Sequence, residues 1–188
     1  ISTLTLGNSL TTIGDHAFIS NLISGHLIIP DSVISIGDHV FRINAITSLT
    51  LGNSVTTIGI YAFVGSSIES LIIPDSVISI GDHAFRSNAI STLTLGDSVT
   101  TIGNNAFDSN QITSLEIPDS VISIGNYAFR SNAISTLTLG DSLTTIGNDA
   151  FNSNQITSLE IPDSVISIGG HAFRSNAIST LTLGDSLT

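Results

Sequence analysis

Apolar residues recur along this chain at short intervals that favour strands and tight corners over helices. Within residues 134–151 they fall mainly two, three or four positions apart and are punctuated by glycine. In the segment "STLTL", β-branched threonines alternate with leucines, and "TSLEI" follows the same rhythm elsewhere. The pattern predicts short strands in which Leu137 and Leu139 point inward while Thr136 and Thr138 point outward, each strand ending at a glycine or a proline.

This pattern is repeated along the whole chain. The four prolines and the four arginines each recur every 44 residues, so two alternating phrases form a double unit. The phenylalanines follow each other at 22 residues, apart from one step of 23, at Phe18, Phe41, Phe63, Phe85, Phe107, Phe129, Phe151 and Phe173. Such a period predicts a β-solenoid of about eight 22-residue coils stacked into a parallel β-sheet, with little or no α-helix.

Alignment of the phrases superimposes two apolar columns, one of the phenylalanines and one of isoleucines. Both columns are predicted to form the core, because one coil has too few apolar groups to fold alone and stacking buries them. The glycine after each isoleucine is interpreted as a corner that needs either a positive φ or close backbone approach. The isoleucines are Ile13, Ile36, Ile58, Ile80, Ile102, Ile124, Ile146 and Ile168.

Both ends of the chain fall in mid-coil, since it opens with "ISTLTLGNSLT" and closes with "ISTLTLGDSLT". Neither end carries a polar cap, so residues 1–188 are predicted to be a single array and a segment of a longer one. One coil departs from the pattern. The stretch "ISNLISGHLIIP" has an extra residue near Gly25 and His26, which predicts a bulged corner.

The composition excludes several partners. The chain has no lysine, four arginines against fifteen acidic residues and a net charge of −11, which would repel nucleic acid and anionic lipid. No apolar run is long enough for membrane insertion. There is no cysteine for disulfides or thiolate metal sites, and no phosphate-loop motif follows the glycines. No cofactor is therefore predicted.

The stretches "IPDSVISIGDHAF" (73–85) and "SLEIPDSVISIGNYAF" (114–129) resemble the BspA-type leucine-rich repeats of bacterial and protist surface proteins. The resemblance covers essentially the whole chain and implies a leucine-rich-repeat β-solenoid, secreted or at the cell surface, that binds host or matrix proteins or other cells. In that family a cysteine usually follows the phenylalanine by three residues. Here asparagine takes its place, as in Asn44 and Asn110, except at Ser66. An asparagine ladder is predicted, bonding the loop backbone and its own copy in the next coil.

The outward strand positions are the candidate binding site for a protein or cell-surface ligand. No exposed aromatic cluster marks them, so a broad, repetitive contact is expected. The threonine ranks also suggest ice or surface binding as a minor alternative, but every second coil interrupts them. The candidate residues are Thr92, Thr94, Glu116, Thr136, Thr138 and Glu160.

A second candidate surface lies just beyond the corner, where isoleucines alternate with threonines. If exposed, these isoleucines form an apolar stripe that could bind a neighbouring solenoid. The alternative function is therefore a structural stalk or filament whose partner is a second copy, associating through its ends or sides. The stripe residues are Ile34, Ile78, Ile122 and Ile166.

Two polar columns carry residue types that can bind metal ions. Acids or amides followed by serine, such as Asp75 and Asp97, could hold Ca²⁺, but the favoured interpretation is bonding to their own turn backbone. The pair His16 and His39, each after an aspartate, could bind Zn²⁺, but equivalent positions vary as on an ordinary surface. No metal site is predicted.

Arginine and aspartate share one column on three successive coils, at Arg86, Asp108 and Arg130. They are predicted to form an exposed charge ladder of little individual weight, or a contact for an acidic partner. No "GxSxG" nucleophile elbow occurs in this serine-rich chain. The chain is therefore predicted not to be an enzyme.

Overall fold

The computed structural model describes residues 1–185, and all sixteen of its regular elements are β-strands. Half are two-residue strands formed by the "TI" or "SI" dipeptide that occurs at the same place in each coil: β1 (Thr12–Ile13), β3 (Ser35–Ile36), β5 (Thr57–Ile58), β7 (Ser79–Ile80), β9 (Thr101–Ile102), β11 (Ser123–Ile124), β13 (Thr145–Ile146) and β15 (Ser167–Ile168). The others lie in the predicted strand segments: β2 (Ser24–Ile28), β4 (Ala45–Thr50), β6 (Ser70–Ile72), β8 (Thr92–Thr94), β10 (Ser114–Glu116), β12 (Thr136–Thr138), β14 (Ser158–Glu160) and β16 (Thr180–Thr182).

The predicted parallel β-solenoid is confirmed, but the continuous sheet runs through a different part of each coil. The two-residue strands form one eight-stranded parallel sheet in the order β1-β3-β5-β7-β9-β11-β13-β15. The longer strands form four parallel pairs, β2-β4, β6-β8, β10-β12 and β14-β16. Their register places Glu116 beside Thr138 and Leu115 beside Leu137.

Glycine and proline at the strand ends explain why the longer strands form pairs. Within a pair, the isoleucine that precedes proline donates its N–H to a carbonyl of the following coil. For example, the Ile73 N–H donates to Thr94 O at 2.9 Å. Gly96 makes this approach possible, because a Cβ there would lie 2.6 Å from the carbonyl carbon of Pro74. At the next interface a proline ring, that of Pro118, faces the glycine-ended coil. The two kinds of interface therefore alternate.

The phenylalanine and isoleucine columns form the core, as predicted. The rings of neighbouring phenylalanines stack with centroids 5.3–5.4 Å apart, for example Phe85 on Phe107 and Phe107 on Phe129. The six inner rings of the column, from Phe41 to Phe151, are fully buried, while the rings at its two ends, Phe18 and Phe173, are partly buried. Each coil is thus the packing partner of the next.

The asparagine ladder exists, but its hydrogen bonds run to backbone groups and not from one amide to the next. The side chain of Asn110 donates to Phe85 O at 3.0 Å and to Phe107 O at 3.1 Å, and it accepts from the Ile90 N–H at 3.1 Å. Each amide therefore joins its own coil to the preceding one. Ser66, at the exceptional coil, is buried and its hydroxyl has no partner among the described residues.

The corner glycines serve close approach, which settles the two alternatives. A Cβ on Gly81 would lie 2.7 Å from the carbonyl carbon of Gly59 in the preceding coil. Positive φ values occur instead at two columns of other residues. They lie two positions before and two positions after each phenylalanine, for example at His83 (58°), Ser87 (55°) and Ile43 (57°).

The bulged corner is confirmed in β2, where the register with β4 shifts between Gly25 and His26. Gly25 has a φ of 73°, a conformation that glycine adopts without strain. At the other end, the last part of the closing "ISTLTLGDSLT" segment, 186–188, lies outside the described residues, so the predicted uncapped end stays a prediction.

Candidate functional site

The predicted binding residues share one surface, here called the outer strand face. It consists of the outward side chains of the even-numbered strands, β2 to β16, which form the four pairs. The inward neighbours Leu93, Leu115 and Leu159 are buried, so the alternation fixes the direction of the flanking side chains. All six candidates are exposed: Thr92, Thr94, Glu116, Thr136, Thr138 and Glu160. Their role in binding stays a prediction.

The outer strand face changes character along the solenoid axis. One of its columns alternates threonine with a second residue type, which is Ile28 and Ile72 towards the N terminus but Glu116 and Glu160 towards the C terminus. The two isoleucines are 55% and 66% exposed. The face therefore has an apolar half and an acidic half, and its threonine ranks are interrupted as the sequence indicates.

Equivalent openings recur along this face at the interfaces that lack strand pairing, and a further one of about 570 Å³ lies beside the turns of the β2-β4 pair, near Pro30 and Gly52. Within residues 1–185 four equivalent openings have volumes of about 310, 330, 250 and 280 Å³ in chain order. Each lies where a glycine-ended coil meets the proline of the next, as between Leu95 and Pro118 in the third opening. Leu93 and Leu95 of the glycine-ended coil are 8% and 6% exposed, against 2% for Leu115 of the proline-ended coil across the same opening. The glycine-ended coil is therefore the side of the opening at which the core leucines are slightly exposed.

The side chains that line the openings follow the two halves of the face. The third opening contains Glu116 and Asp97. The fourth contains the equivalent carboxylates, those of Glu160 and Asp141. In the first and second openings isoleucine and asparagine replace them, at Ile28 with Asn8 and at Ile72 with Asn53.

The sequence alone does not indicate that strand residues and turn residues lie at the same opening. Glutamate and isoleucine belong to the strand, whereas aspartate and asparagine belong to the turn that was interpreted by itself. The available signal was the alternation of proline and glycine at the strand ends, with its 44-residue period. It defines the double unit and also marks the interfaces at which the openings lie.

The turn aspartates of the proline coils bond across coils, which corrects the prediction that they bond their own turn. Asp75 Oδ1 accepts the Asp97 N–H at 3.0 Å, and Asp119 Oδ1 accepts the Asp141 N–H at 2.9 Å. These carboxylates therefore link the proline coil to the following glycine coil. No group of three His, Cys, Asp or Glu side chains in the described part of the chain could surround a metal ion.

The histidine column is an aromatic stack. The ring centroids of His16 and His39 lie 4.8 Å apart, those of His39 and Tyr61 4.8 Å, and those of Tyr61 and His83 4.3 Å. Burial lowers the pKa of His39, and His16 and Arg42 lower it further. Burial and these two neighbours therefore favour the neutral imidazole of His39.

The arginine and aspartate column is not an exposed ladder, contrary to the prediction. Asp108 is fully buried between two arginines. Arg130 donates to both of its oxygens at 2.9 and 3.0 Å, whereas Arg86 Nε lies 3.0 Å from Oδ2 without hydrogen-bond geometry. The hydrogen bond with Asp108 raises the pKa of Arg130. The Asp108 carboxylate is thus enclosed by its own chain and is not available to a partner.

The apolar stripe is exposed, which was the condition for its proposed role. Its isoleucines, Ile34, Ile78, Ile122 and Ile166, are 49–54% exposed. The threonines between them form hydrogen bonds with the isoleucine backbone of the preceding coil. Thr100 Oγ1 donates to Ile78 O at 3.1 Å and Thr144 Oγ1 to Ile122 O at 3.0 Å. Self-association through the stripe stays a prediction. Among residues 1–185 no helix has the length and apolar character needed to cross a bilayer.

Comparison with known proteins identifies a family of repeats in this sequence. The sequence profile of the BspA type Leucine rich repeat region matches this chain in six copies, over residues 1–90 and 79–188. No curated protein sequence matches it.

Solved structures with the same fold come from bacteria. A leucine-rich repeat protein from Bacteroides ovatus is 20% identical, with a TM-score of 0.65, over 95% of this chain and 66% of its own. The pneumococcal vaccine antigen PcpA is 23% identical, with a TM-score of 0.65, over 96% of this chain and 44% of its own. A leucine rich cell surface protein from Faecalibacterium prausnitzii is 22% identical, with a TM-score of 0.54, over 100% of this chain and 69% of its own. The chain therefore spans only part of each of these proteins.

Proposed function

Because the chain belongs to the BspA-type leucine-rich repeat family, we propose that it is a non-enzymatic protein of the cell surface or the extracellular medium that serves in adhesion or protein recognition. The observation that carries this proposal is the outer strand face. It presents exposed side chains in register over successive coils, with an opening at every second interface. Such a surface suits an extended contact with a protein.

The extracellular location is supported by the family and by one structural relative. Proteins of this repeat type are surface proteins, and the relative from Faecalibacterium prausnitzii is a cell surface protein. The net charge of −11 is consistent with a protein partner and unfavourable for nucleic acid.

Binding of the purified chain to intact cells and to a panel of extracellular matrix proteins tests this function. A double variant, Thr92→Lys with Thr136→Lys, places two bulky charges on the outer strand face. The matched control, Thr101→Lys with Thr145→Lys, changes two exposed threonines on the eight-stranded sheet. We expect the first variant to weaken binding about tenfold or more and the control to change it little. Equal effects, or no partner in either assay, would refute the proposal.

Self-association is the second candidate function, and the exposed stripe of four isoleucines favours it. Light scattering over a range of concentrations would detect growth into oligomers or rods. The variant Ile78→Thr with Ile122→Thr installs the residue that already occupies alternate coils and should abolish such growth. A chain that stays monomeric at all concentrations would eliminate this candidate.

A further inference from the structure

We propose that the four equivalent openings of the outer strand face together bind one peptide segment in the polyproline II conformation. In one half of this peptide, every third residue has a cationic side chain. This inference rests on the proposed protein-binding function and adds the class of partner. It follows from two independent properties of the openings, their spacing and their charge.

The spacing of the openings matches a polyproline II helix. The openings recur every two coils, and two strand spacings amount to about 10 Å. A polyproline II segment has three residues per turn and rises about 3.1 Å per residue, so every third side chain returns to the same side after about 9.3 Å. A β-strand returns its side chains to one side every second residue, about 6.7 Å apart, and would fall out of step with the openings.

The charges of the openings specify the side chains that would enter them. Glu116 with Asp97, and Glu160 with Asp141, form two consecutive acidic openings. Two carboxylates at one opening favour a cationic side chain, and the planar guanidinium of arginine carries the most donors for them. The first and second openings offer exposed isoleucines and neutral amides in place of the carboxylates, with His26 also lining the first, so they favour apolar over cationic side chains. Each opening, at 250–330 Å³, has room for one large side chain.

The probe is a fluorescently labelled proline-rich peptide with leucine at its first and fourth positions and arginine at its seventh and tenth. A second peptide carries the reversed sequence, because both chain directions are compatible with the spacing. A third has the same composition but places the two arginines next to each other. Fluorescence anisotropy against the whole chain measures each affinity. We expect one of the in-phase peptides to bind at least about fivefold more tightly than the out-of-phase peptide.

Variants of the acidic openings test the charge. Glu116→Thr and Glu160→Thr install the residue found in the same column of neighbouring coils, so the fold should tolerate them. Each should weaken peptide binding about fivefold, and together about twenty-five-fold. Glu69→Thr removes an exposed acid that lies outside the openings and should leave the affinity within about twofold.

Two results would overturn the inference. One is equal affinity for in-phase and out-of-phase peptides, and the other is unchanged binding by the double glutamate variant. If the chain still bound a matrix protein or cells through Thr92 and Thr136 while either result held, the proposed function would stand and only the polyproline II partner would be wrong. If the chain bound neither cells, matrix proteins nor peptides, both proposals would fail.

Discussion

Replacing Asn110 with serine tests whether the asparagine ladder holds neighbouring coils together. Serine already occupies the equivalent place in another coil, at Ser66, so the substitution is compatible with the repeat. The backbone beside each is alike, since Ser109 has a φ of 59° and Gly65 a φ of 68°. The difference between the two side chains is therefore chiefly the amide and its hydrogen bonds.

The expected cost follows from the three bonds that Asn110 makes. Its amide donates to Phe85 O and Phe107 O and accepts from the Ile90 N–H, at 3.0–3.1 Å. A buried hydrogen bond contributes about 1 kcal/mol net, and backbone groups left unpaired in the core cost more. We therefore expect Asn110→Ser to lower the free energy of unfolding by about 3 kcal/mol, which for a chain of this size lowers the Tm by about 6–12 °C.

Hydrogen exchange can locate this loss, because a solenoid is stabilised mainly by contacts between neighbouring coils. The amide proton of Ile90 loses its acceptor and should exchange about a hundredfold faster. The amides of Ile68 and Ile134 serve as internal controls, since they donate to Asn88 and Asn154. Thermal unfolding followed by circular dichroism gives the global effect.

The reverse substitution, Ser66→Asn, is the matched test. It supplies the missing amide at a buried site whose hydroxyl has no partner among the described residues, so we expect a gain of about 1–2 kcal/mol. A loss below about 0.5 kcal/mol for Asn110→Ser, or destabilisation by Ser66→Asn, would refute the view that the amide ladder joins the coils.

Three further substitutions test other features. Asp108→Asn should cost about 2–3 kcal/mol in urea unfolding, because it leaves two arginines around a neutral group; an unchanged midpoint would contradict this. Ile43→Ser should stabilise the chain by about 1 kcal/mol by relieving a φ of 57° at a β-branched residue, measured the same way. Burial and Arg86 lower the pKa of His83 below 6.5, so the unfolded chain binds more protons and stability should fall as the pH drops below that value. His83→Tyr should reduce this slope between about pH 8 and pH 5, and an identical slope would count against it.

Much of the fold could be predicted because the repeat states the same local rule in every coil. The phenylalanine and isoleucine columns, the strand segments and the bulge near Gly25 all follow from spacing alone. The position of the continuous sheet could not, since "TI" and "SI" are too short to stand out as strands in a sequence. They form a ladder because the coils on either side hold them in register.

The candidate site was predictable only as a set of outward positions. Alternation with buried leucines is enough to place Thr94 and Glu116 outside. The openings depend on how closely successive coils approach, which differs between a glycine-ended and a proline-ended strand. For the same reason Asp97, a turn residue, could not be assigned to the same opening as Glu116.

The sequence by itself determined the solenoid, its period, its core columns and the family, because each depends on a residue type recurring at a fixed interval. Only the tertiary structure decided which groups meet across coils. It buried Asp108 between arginines, directed the asparagine amides to backbone carbonyls and opened every second interface. These outcomes depend on which side chains and backbone groups meet across neighbouring coils, and the repeat period by itself does not specify those contacts.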